Sequence, residues 1–145
     1  IGNLRAAIFN WLFARHYDGV FLIRIEDTDY ERSKKEYADS IIDILTWFGL
    51  TSDELIVYQS ERTDLYKQYI EQLLASGNAY WSDPVNEENG LSVVRFKVDR
   101  TRDCVSFKDL IRGVITVPME QIDDFVIARA DGTPLYNFVV VIDEY

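Results

Sequence analysis

Cysteine and histidine are scarce in this chain, and their scarcity excludes several kinds of site. Among 145 residues there is one cysteine, Cys104, and one histidine, His16. A single cysteine cannot form an internal disulfide, and the pair is too small for a cysteine-rich zinc centre or a histidine-based metal cage. We therefore interpret both residues as structural or surface residues. We expect no metal site, and a reducing, cytoplasmic environment.

Long apolar runs and net positive charge are also lacking. No apolar stretch approaches the roughly 20 residues that a membrane helix needs, so we expect no membrane partner. The chain carries 15 basic and 25 acidic residues, for a formal net charge of −10. This balance disfavours non-specific nucleic-acid binding, although it leaves room for a local basic stripe. With 48% hydrophobic residues, the sequence is typical of about one globular domain.

Three stretches have the apolar spacing of amphipathic helices. The first covers residues 4–16, and the third begins near Thr63. The second is preceded by a capping-box pattern from Ser33 to Glu36 and is followed by Gly49, a typical C-terminal stop. Helices of this kind, interleaved with short strands, indicate an α/β fold with right-handed crossovers.

The second half of the chain has a different pattern. After a polar loop at residues 83–90, short β-prone stretches alternate with turns. They cover residues 93–98, 105–107 and 114–117. We interpret this part as a small, partly antiparallel insertion. The tail at residues 135–145 is rich in β-branched residues, and propensity alone predicts a strand there.

A cluster of carboxylates follows the apolar run at residues 20–25, which is typical of a parallel strand covered on both faces. Ligands of open α/β sheets bind beyond the carboxyl ends of the strands. Glu26 is the first polar residue at that position, so it could pair with a ligand's ammonium group. Alternatively, these acidic residues lie at the start of the next helix, where the helix dipole favours negative charge, and bind no ligand. Asp27 fits this alternative best.

Polar residues near two helix starts are further candidates. Asp29 and Arg32 could grip the phosphate and sugar hydroxyls of a nucleotide, or they could pair with each other. Gly2 and Asn3 open the first helix, whose free N–H groups could face a phosphate. Together these residues predict a ligand-binding domain, but they do not define a reaction.

The last candidates follow the Asp-Gly-Thr-Pro turn at residues 131–134. Tyr136 and Asn137 come directly after it, where side chains could line a pocket. The alternative for Tyr136 is a place in the hydrophobic core, because large aromatic side chains are usually buried. The residues alone leave both interpretations open.

Several long segments, taken in order, carry a resemblance to one known family. They are residues 1–50, which contain RIEDTD at 24–29, YQSERTDLYKQYIEQLLASGNAYW at 58–81, VVRFKV at 93–98, DLIRGVI at 109–115 and DDFVIARADGTPLYNFVVVIDEY at 123–145. These segments resemble the catalytic core of bacterial glutamyl-tRNA synthetases, which are class I aminoacyl-tRNA synthetases. The resemblance covers nearly the whole chain except residues 82–92.

The resemblance implies a fold. It is an α/β, Rossmann-like class I synthetase catalytic core with a small α+β acceptor-binding insertion, truncated at both ends. Residues 1–80 would form the first half of the catalytic domain, residues 81–120 part of the insertion, and residues 121–145 the return to the catalytic domain. The resemblance also implies a helix at residues 135–142, against the β propensity of that segment.

The resemblance also implies an activity: ATP-dependent ligation of L-glutamate to tRNA(Glu) through a glutamyl-adenylate, with Mg²⁺ accompanying ATP. Ile1-Gly2-Asn3 resembles the end of the family's HIGH signature, whose glycine lets ATP approach the helix. The implied roles are ATP binding for Gly2 and Asn3, glutamate binding for Glu26, Tyr136 and Asn137, and tRNA binding for Asp29, Arg32 and Arg112. No catalytic residue is assigned.

The chain also departs from the family pattern. The lysine-bearing KMSKS loop is absent, and only the end of HIGH is present. The segment between Tyr80 and Val93 is short and has no cysteine, so we expect no zinc. An arginine for the substrate's side-chain carboxylate is not identified. We expect a monomeric fragment of a longer enzyme, inactive by itself.

Three alternatives remain. Two of them share the same fold: a glutaminyl-tRNA synthetase, and a paralogue that glutamylates a queuosine base of tRNA. A charging test with glutamine against glutamate distinguishes these enzymes from the glutamyl form. A non-catalytic RNA-binding module belongs to another class; the missing signatures favour it and the charge of −10 disfavours it.

Overall fold

The computed structural model describes residues 2–28, 33–83 and 91–144. The chain divides into two compact units, Ile1–Arg62 and Thr63–Tyr145. The division into three segments implied by the resemblance stays a prediction. Of the helices in the described ranges, none has both the length and the apolar character needed to cross a membrane.

The first unit contains a parallel β-α-β motif. Strand β1 lies opposite β2, with Arg24 beside Val57 and Ile25 beside Tyr58. The parallel pairing with a helix between the strands confirms the predicted α/β character. The elements are α1 (Gly2–His16), β1 (Arg24–Ile25), α2 (Lys35–Trp47), β2 (Val57–Tyr58) and a 3-10 turn (Gln59–Arg62).

Strand β1 is shorter than the apolar run at residues 20–25 predicted, since only Arg24–Ile25 forms a ladder. Before it, the N–H groups bind side chains: the Phe21 N–H donates to Asp53 Oδ2 at 2.7 Å, and the Ile23 N–H donates to the Ser52 hydroxyl at 3.2 Å. The Ile23 carbonyl accepts the Val57 N–H of β2 at 3.2 Å. The prediction that the run is covered on both faces is wrong, because Leu22 is 58% exposed.

The capping box predicted before α2 is also wrong. The N-cap residue is Lys34, with φ −88° and ψ 136°, and among the described residues no side chain caps the helix. Because the helix begins at Lys35, Ser33 lies one residue too early to cap it. Glu36 is then the second helical residue instead of the third, where a capping box needs it.

Two glycines end helices in the manner that the sequence predicts for Gly49. Gly49 and Gly77 both have φ +74°, a left-handed conformation that other L-residues adopt only with strain. The Gly49 N–H donates to the Thr46 carbonyl at 2.9 Å, and the Gly77 N–H to the Leu74 carbonyl at 3.2 Å. These bonds satisfy carbonyl groups that the helix leaves without a partner.

The second unit consists of two antiparallel sheets and two helices. One sheet has the order β3-β4-β7, and the other is the two-stranded pair β5-β6, which we call the ribbon. The antiparallel pairing confirms the predicted character of this part. The elements are α3 (Thr63–Ala75), β3 (Ala79–Trp81), β4 (Val94–Phe96), β5 (Cys104–Asp109), β6 (Gly113–Pro118), β7 (Phe125–Ala128) and α4 (Tyr136–Glu144).

Helix α4 confirms the family resemblance over local β propensity. Its residue Val139 is completely buried in the core of the second unit. The start of the helix is tied to β7, because the Leu135 N–H donates to the Ile127 carbonyl at 2.8 Å. Burial of an apolar helix face outweighs the small intrinsic preference of Val and Ile for strands.

Candidate functional site

The first unit has an open groove of about 1250 Å³. Small-molecule pockets usually have volumes of roughly 300–1,000 Å³, so the groove has room for a ligand as large as a nucleotide. Its walls come from α1, the segment leading into β1, and the start of α2. The residues that line it include Asn3, Asn10, Tyr17, Leu22, Glu26, Lys34, Tyr37 and Ser60.

Glu26 lies in this groove, directly after β1. This is the position that the sequence predicted, at the carboxyl end of a parallel strand. Its side chain is 39% exposed, and its Oε1 accepts a charged hydrogen bond from Arg24 Nη2 at 3.3 Å. Arg24 also lines the groove, so the site presents a carboxylate and a guanidinium side by side.

Asp27 has a different role from the one interpreted from sequence. Ser60 binds both of its carboxylate oxygens: the backbone N–H donates to Oδ1 at 2.8 Å, and the hydroxyl donates to Oδ2 at 2.6 Å. Asp27 therefore joins the end of β1 to the turn after β2, instead of decorating the start of α2. The two residues are 33 positions apart, so no local pattern could have shown the pair.

Gly2 and Asn3 form the first turn of α1, as predicted, and both are exposed. Asn3 lines the groove. Apart from its chain neighbours and the backbone of its own helix, no atom of the described residues lies within 4 Å of a Cβ placed on Gly2, so packing there does not require glycine. Asp29 and Arg32 lie outside the described residues, and their predicted roles stay predictions.

Tyr136 and Asn137 form the first turn of α4, in the second unit. Tyr136 is 54% exposed, so the alternative of a core position for this residue is wrong. Asn137 is also exposed. Both side chains are accessible to a ligand, and their assignment to glutamate binding stays a prediction.

Arg112 is exposed at the turn of the ribbon. The backbone N–H groups of Arg112 and Ile111 donate to Asp109 Oδ1, at 2.7 and 2.8 Å, and hold the pKa of that carboxyl below its ordinary value. The surrounding segment, residues 91–118, has six basic and three acidic residues in a chain whose net charge is −10. The basic residues are Arg95, Lys97, Arg100, Arg102, Lys108 and Arg112. A windowed charge count would have located this local basic stretch.

A bidentate ion pair, which the sequence did not indicate, stabilises the first unit. Arg15 donates to both carboxylate oxygens of Asp53, at 2.7 and 2.6 Å. The hydrogen bonds from Arg15 lower the pKa of Asp53 most, and the hydrogen bond from the Phe21 N–H lowers it further, to about 2. The pair connects the last turn of α1 to the loop before β2.

No group of three or more His, Cys, Asp or Glu side chains within residues 2–28, 33–83 and 91–144 is arranged to hold a metal ion.

Comparison with known proteins identifies the family. The model of class I tRNA synthetases (E and Q), catalytic domain, matches residues 1–89 and again residues 84–145. The two matches together include the whole chain. The family model matches the chain in two separate pieces, which meet at residues 84–89. The family pattern is therefore interrupted at this point of the chain.

Relatives with assigned names agree with this match. A glutamate–tRNA ligase of Lawsonia intracellularis is 42% identical over 173 residues, including 100% of this chain and 37% of the relative. Glutamate–tRNA ligase 1 of Petrotoga mobilis is 46% identical over 169 residues, again including 100% of this chain, and 36% of the relative. The chain thus spans little more than a third of the length of these relatives.

The alignment lengths also show an internal gap. The Lawsonia alignment has 173 positions for a chain of 145 residues, so the relative has roughly 28 more residues within the aligned region. The break in the family match at residues 84–89 indicates that most of them belong there. This agrees with the short segment noted in the sequence between Tyr80 and Val93.

Solved structures show the same relationship. A glutamate tRNA ligase from Elizabethkingia meningosepticum, crystallised in complex with its amino acid, superposes with a TM-score of 0.83 at 29% identity, over 99% of this chain and 38% of that one. The synthetase from Elizabethkingia anophelis gives a TM-score of 0.82. The sequence resemblance is thus confirmed, and the chain belongs to the catalytic-domain family of class I tRNA synthetases for E and Q.

Proposed function

We propose that the whole protein to which this chain belongs ligates L-glutamate to tRNA(Glu) in the cytoplasm, as a monomer. The glutamate α-carboxylate attacks the α-phosphorus of ATP, which carries Mg²⁺, and pyrophosphate leaves. A hydroxyl of the terminal adenosine of the tRNA then attacks the glutamyl-adenylate, and AMP leaves. The names of the relatives support this proposal, and the chain carries the part of the enzyme that spans 37% of their length.

The observation that carries the proposal is the position of Glu26 in the groove. An ammonium group removed from water needs a charged or hydrogen-bonded partner, or its burial costs several kcal/mol. Glu26 supplies such a partner, and its Oε1 lies 3.3 Å from Arg24 Nη2. The solved relative that contains its amino acid supports an amino-acid site in this catalytic domain.

ATP binding is assigned to the first turn of α1. The N-terminus of a helix presents free N–H groups and the positive end of the helix dipole, and both attract phosphate. Asn3 faces the groove there, and the open space around Gly2 gives a phosphate room to approach the backbone. Packing does not require glycine at position 2.

The tRNA contact is assigned to the ribbon and its basic surroundings, with Arg112 at the turn. An arginine can bind a phosphate oxygen pair through two parallel hydrogen bonds. The local excess of positive charge in residues 91–118 opposes the net charge of the chain, so attraction to RNA is concentrated on this segment. Asp29 and Arg32 are further proposed tRNA-binding residues, whereas Tyr136 and Asn137 are proposed to bind glutamate.

An NMR titration of the chain with a non-hydrolysable glutamyl-adenylate analogue tests the amino-acid site. We expect selective shifts at Gly2 and Glu26 with the glutamyl analogue, and weaker binding of the glutaminyl one. Glu26→Gln should weaken binding on the order of tenfold, because the ammonium group loses its charged partner. Glu54→Gln removes the same charge from an exposed residue that does not line the groove, so it should bind as the parent does.

Three outcomes would count against the proposal. Tighter binding of the glutaminyl analogue would favour the glutamine-specific sister enzyme. Equal weakening by Glu26→Gln and Glu54→Gln would show that Glu26 makes no specific contact. No shift with either analogue would contradict a binding site within this chain.

A further inference from the structure

The ribbon has no hydrophobic core of its own. Its apolar side chains are largely in solvent: Phe107 is 54% exposed and Val114 is 73% exposed. A two-stranded antiparallel pair by itself is only marginally stable in water. Its direction must therefore be set by contacts at its root, where the chain enters β5 and leaves β6.

Asp124 is the centre of those root contacts. Its carboxylate accepts the Val98 N–H at 2.9 Å and the Tyr80 hydroxyl at 3.0 Å, and it lies 3.8 Å from Arg100 Nη2. Its backbone carbonyl accepts Arg95 Nη1 at 2.7 Å. One residue thus joins β3, the end of β4 and the segment that leads into the ribbon.

Arg100 extends this cluster to both ends of the ribbon. Its Nη1 donates to the Met119 carbonyl at 2.7 Å, directly after β6. The Met119 N–H in turn donates to the Asp103 carbonyl at 3.0 Å, directly before β5. The entry and the exit of the ribbon are therefore joined to each other, and Arg100 joins them to Asp124.

The distant end of the ribbon is also held in one conformation. Asp109 accepts two backbone N–H groups of the turn, and Gly113 has φ +77°, which allows the tight reversal. Midway, the hydroxyls of Ser106 and Thr116 are 2.8 Å apart and form a hydrogen bond across the strands. A ribbon braced in this way transmits a change of direction at its root to Arg112.

We propose that Asp124 is a positioning residue for RNA binding: by holding Tyr80, Val98 and Arg100 it sets the direction of the ribbon, and thus the place where Arg112 meets the phosphates of RNA. The proposal rests on the proposed function, in which the partner of the ribbon is tRNA. The hydrogen bonds that Asp124 accepts, of which that from the Val98 N–H has the largest effect, hold its pKa below the ordinary value. The carboxylate is therefore charged at neutral pH and attracts Arg100.

Fluorescence anisotropy with a labelled RNA hairpin ending in single-stranded CCA tests this proposal. Asp124→Asn makes the net charge less negative, which alone would strengthen binding to RNA. We nevertheless expect binding to weaken about fivefold, a typical size for coupling between residues of one network. Glu71→Gln, at an exposed residue of α3, makes the same change of charge and reports the charge effect alone.

A double-mutant cycle with Arg112→Ala separates positioning from general damage. If Asp124 acts through Arg112, Asp124→Asn weakens binding in the parent but adds little in the Arg112→Ala background. Additive losses, or binding by Asp124→Asn equal to that of Glu71→Gln, would overturn the proposal while RNA binding itself stands. Absence of salt-dependent binding by the parent would overturn the tRNA assignment of the ribbon as well.

A milder variant keeps the test valid if Asp124→Asn does not fold. Tyr80→Phe removes one hydrogen bond to Asp124 and leaves the aromatic ring. We expect a smaller loss of RNA binding, which should also disappear in the Arg112→Ala background. The NMR signals of β3, β4 and β7 should keep their pattern, because the sheet itself stays folded. The orientation of the ribbon, measured by residual dipolar couplings of its N–H groups, should change in both variants; an unchanged orientation would contradict the proposal.

Discussion

The two units of this protein differ in how completely their cores exclude water. In the second unit, Tyr66, Ile127 and Val139 are 0% exposed. In the described part of the first unit, no apolar side chain is less than 6% exposed, and its core cluster consists of Ala14, Phe21, Leu45 and Leu50. One unit has a closed core and the other has an open groove.

The difference is consistent with the division of binding that we propose for the two units. A groove that holds a ligand must leave apolar surface uncovered, and the first unit compensates with polar contacts between distant segments, such as Arg15 with Asp53 and Asp27 with Ser60. The second unit needs a rigid base, because it must hold an exposed ribbon. Its closed core, packed around Tyr66 and Ile127, supplies that base.

The largest expected effect comes from truncating the closed core. Ile127→Ala should lower the free energy of unfolding of the second unit by about 3 kcal/mol, because it leaves a cavity with no access to water. Leu45→Ala should cost the first unit less, about 2 kcal/mol, since Leu45 borders the groove and water can occupy the space. Urea unfolding followed by residue-resolved hydrogen exchange measures both. A larger loss for Leu45→Ala would contradict the comparison.

A buried hydroxyl in the closed core should have the next largest effect. The Tyr66 hydroxyl donates to Asp143 at 2.9 Å, and Tyr66→Phe should cost about 1.5 kcal/mol, as for other hydrogen bonds to a charged group. Tyr69→Phe is the matched control, because the Tyr69 hydroxyl makes no hydrogen bond to the residues that the structure describes. Equal melting temperatures for the two variants would show that the Asp143 bond contributes nothing.

Two matched glycines test whether replacing a left-handed glycine by alanine lowers stability equally in both units. Gly49 in the first unit and Gly77 in the second have φ +74°, and in the part of the chain that the structure describes a Cβ at either position would meet only its adjacent residues within 4 Å. Replacement by alanine should cost about 1 kcal/mol at each position, because the strain is in the backbone alone. Hydrogen exchange of the preceding helices measures each effect. Very different costs would show that the looser unit absorbs the strain.

Acid should lower the stability of the first unit through protonation of Asp53. We expect this effect to be the smallest, because the side chains of Arg15 and Asp53 are both about a third exposed and exposed ion pairs contribute little. The pKa of Asp53 is about 2 in the folded unit, below its ordinary value of 3.8. Its contribution to stability is therefore complete above about pH 4 and is lost as the pH falls toward 2. In Asp53→Asn, this part of the acid dependence of the first unit should vanish. An unchanged pH profile would refute the assignment.

Much of the fold could be predicted from local patterns. Apolar spacing predicted α1 and α3, and glycine predicted the end of α2, because these features depend on neighbours within one or two turns of helix. The capping box failed for a local reason too: a shift of the helix start by one residue moved Ser33 and Glu36 out of register. The position of Glu26 after β1 was also predictable, because a charged residue at the end of an apolar run is a local signal.

The sequence by itself determined the helices, the basic stretch around Arg112 and, through family resemblance, the place of α4. Only the tertiary structure decided the partners of Asp27, Asp53 and Asp124, which are Ser60, Arg15 and the group around Tyr80. Ser60, Arg15 and Tyr80 lie 33, 38 and 44 positions from their carboxylates in the chain. Periodicity and propensity report on near neighbours, whereas a carboxylate pairs with whichever donor the packing of the core brings within 3 Å.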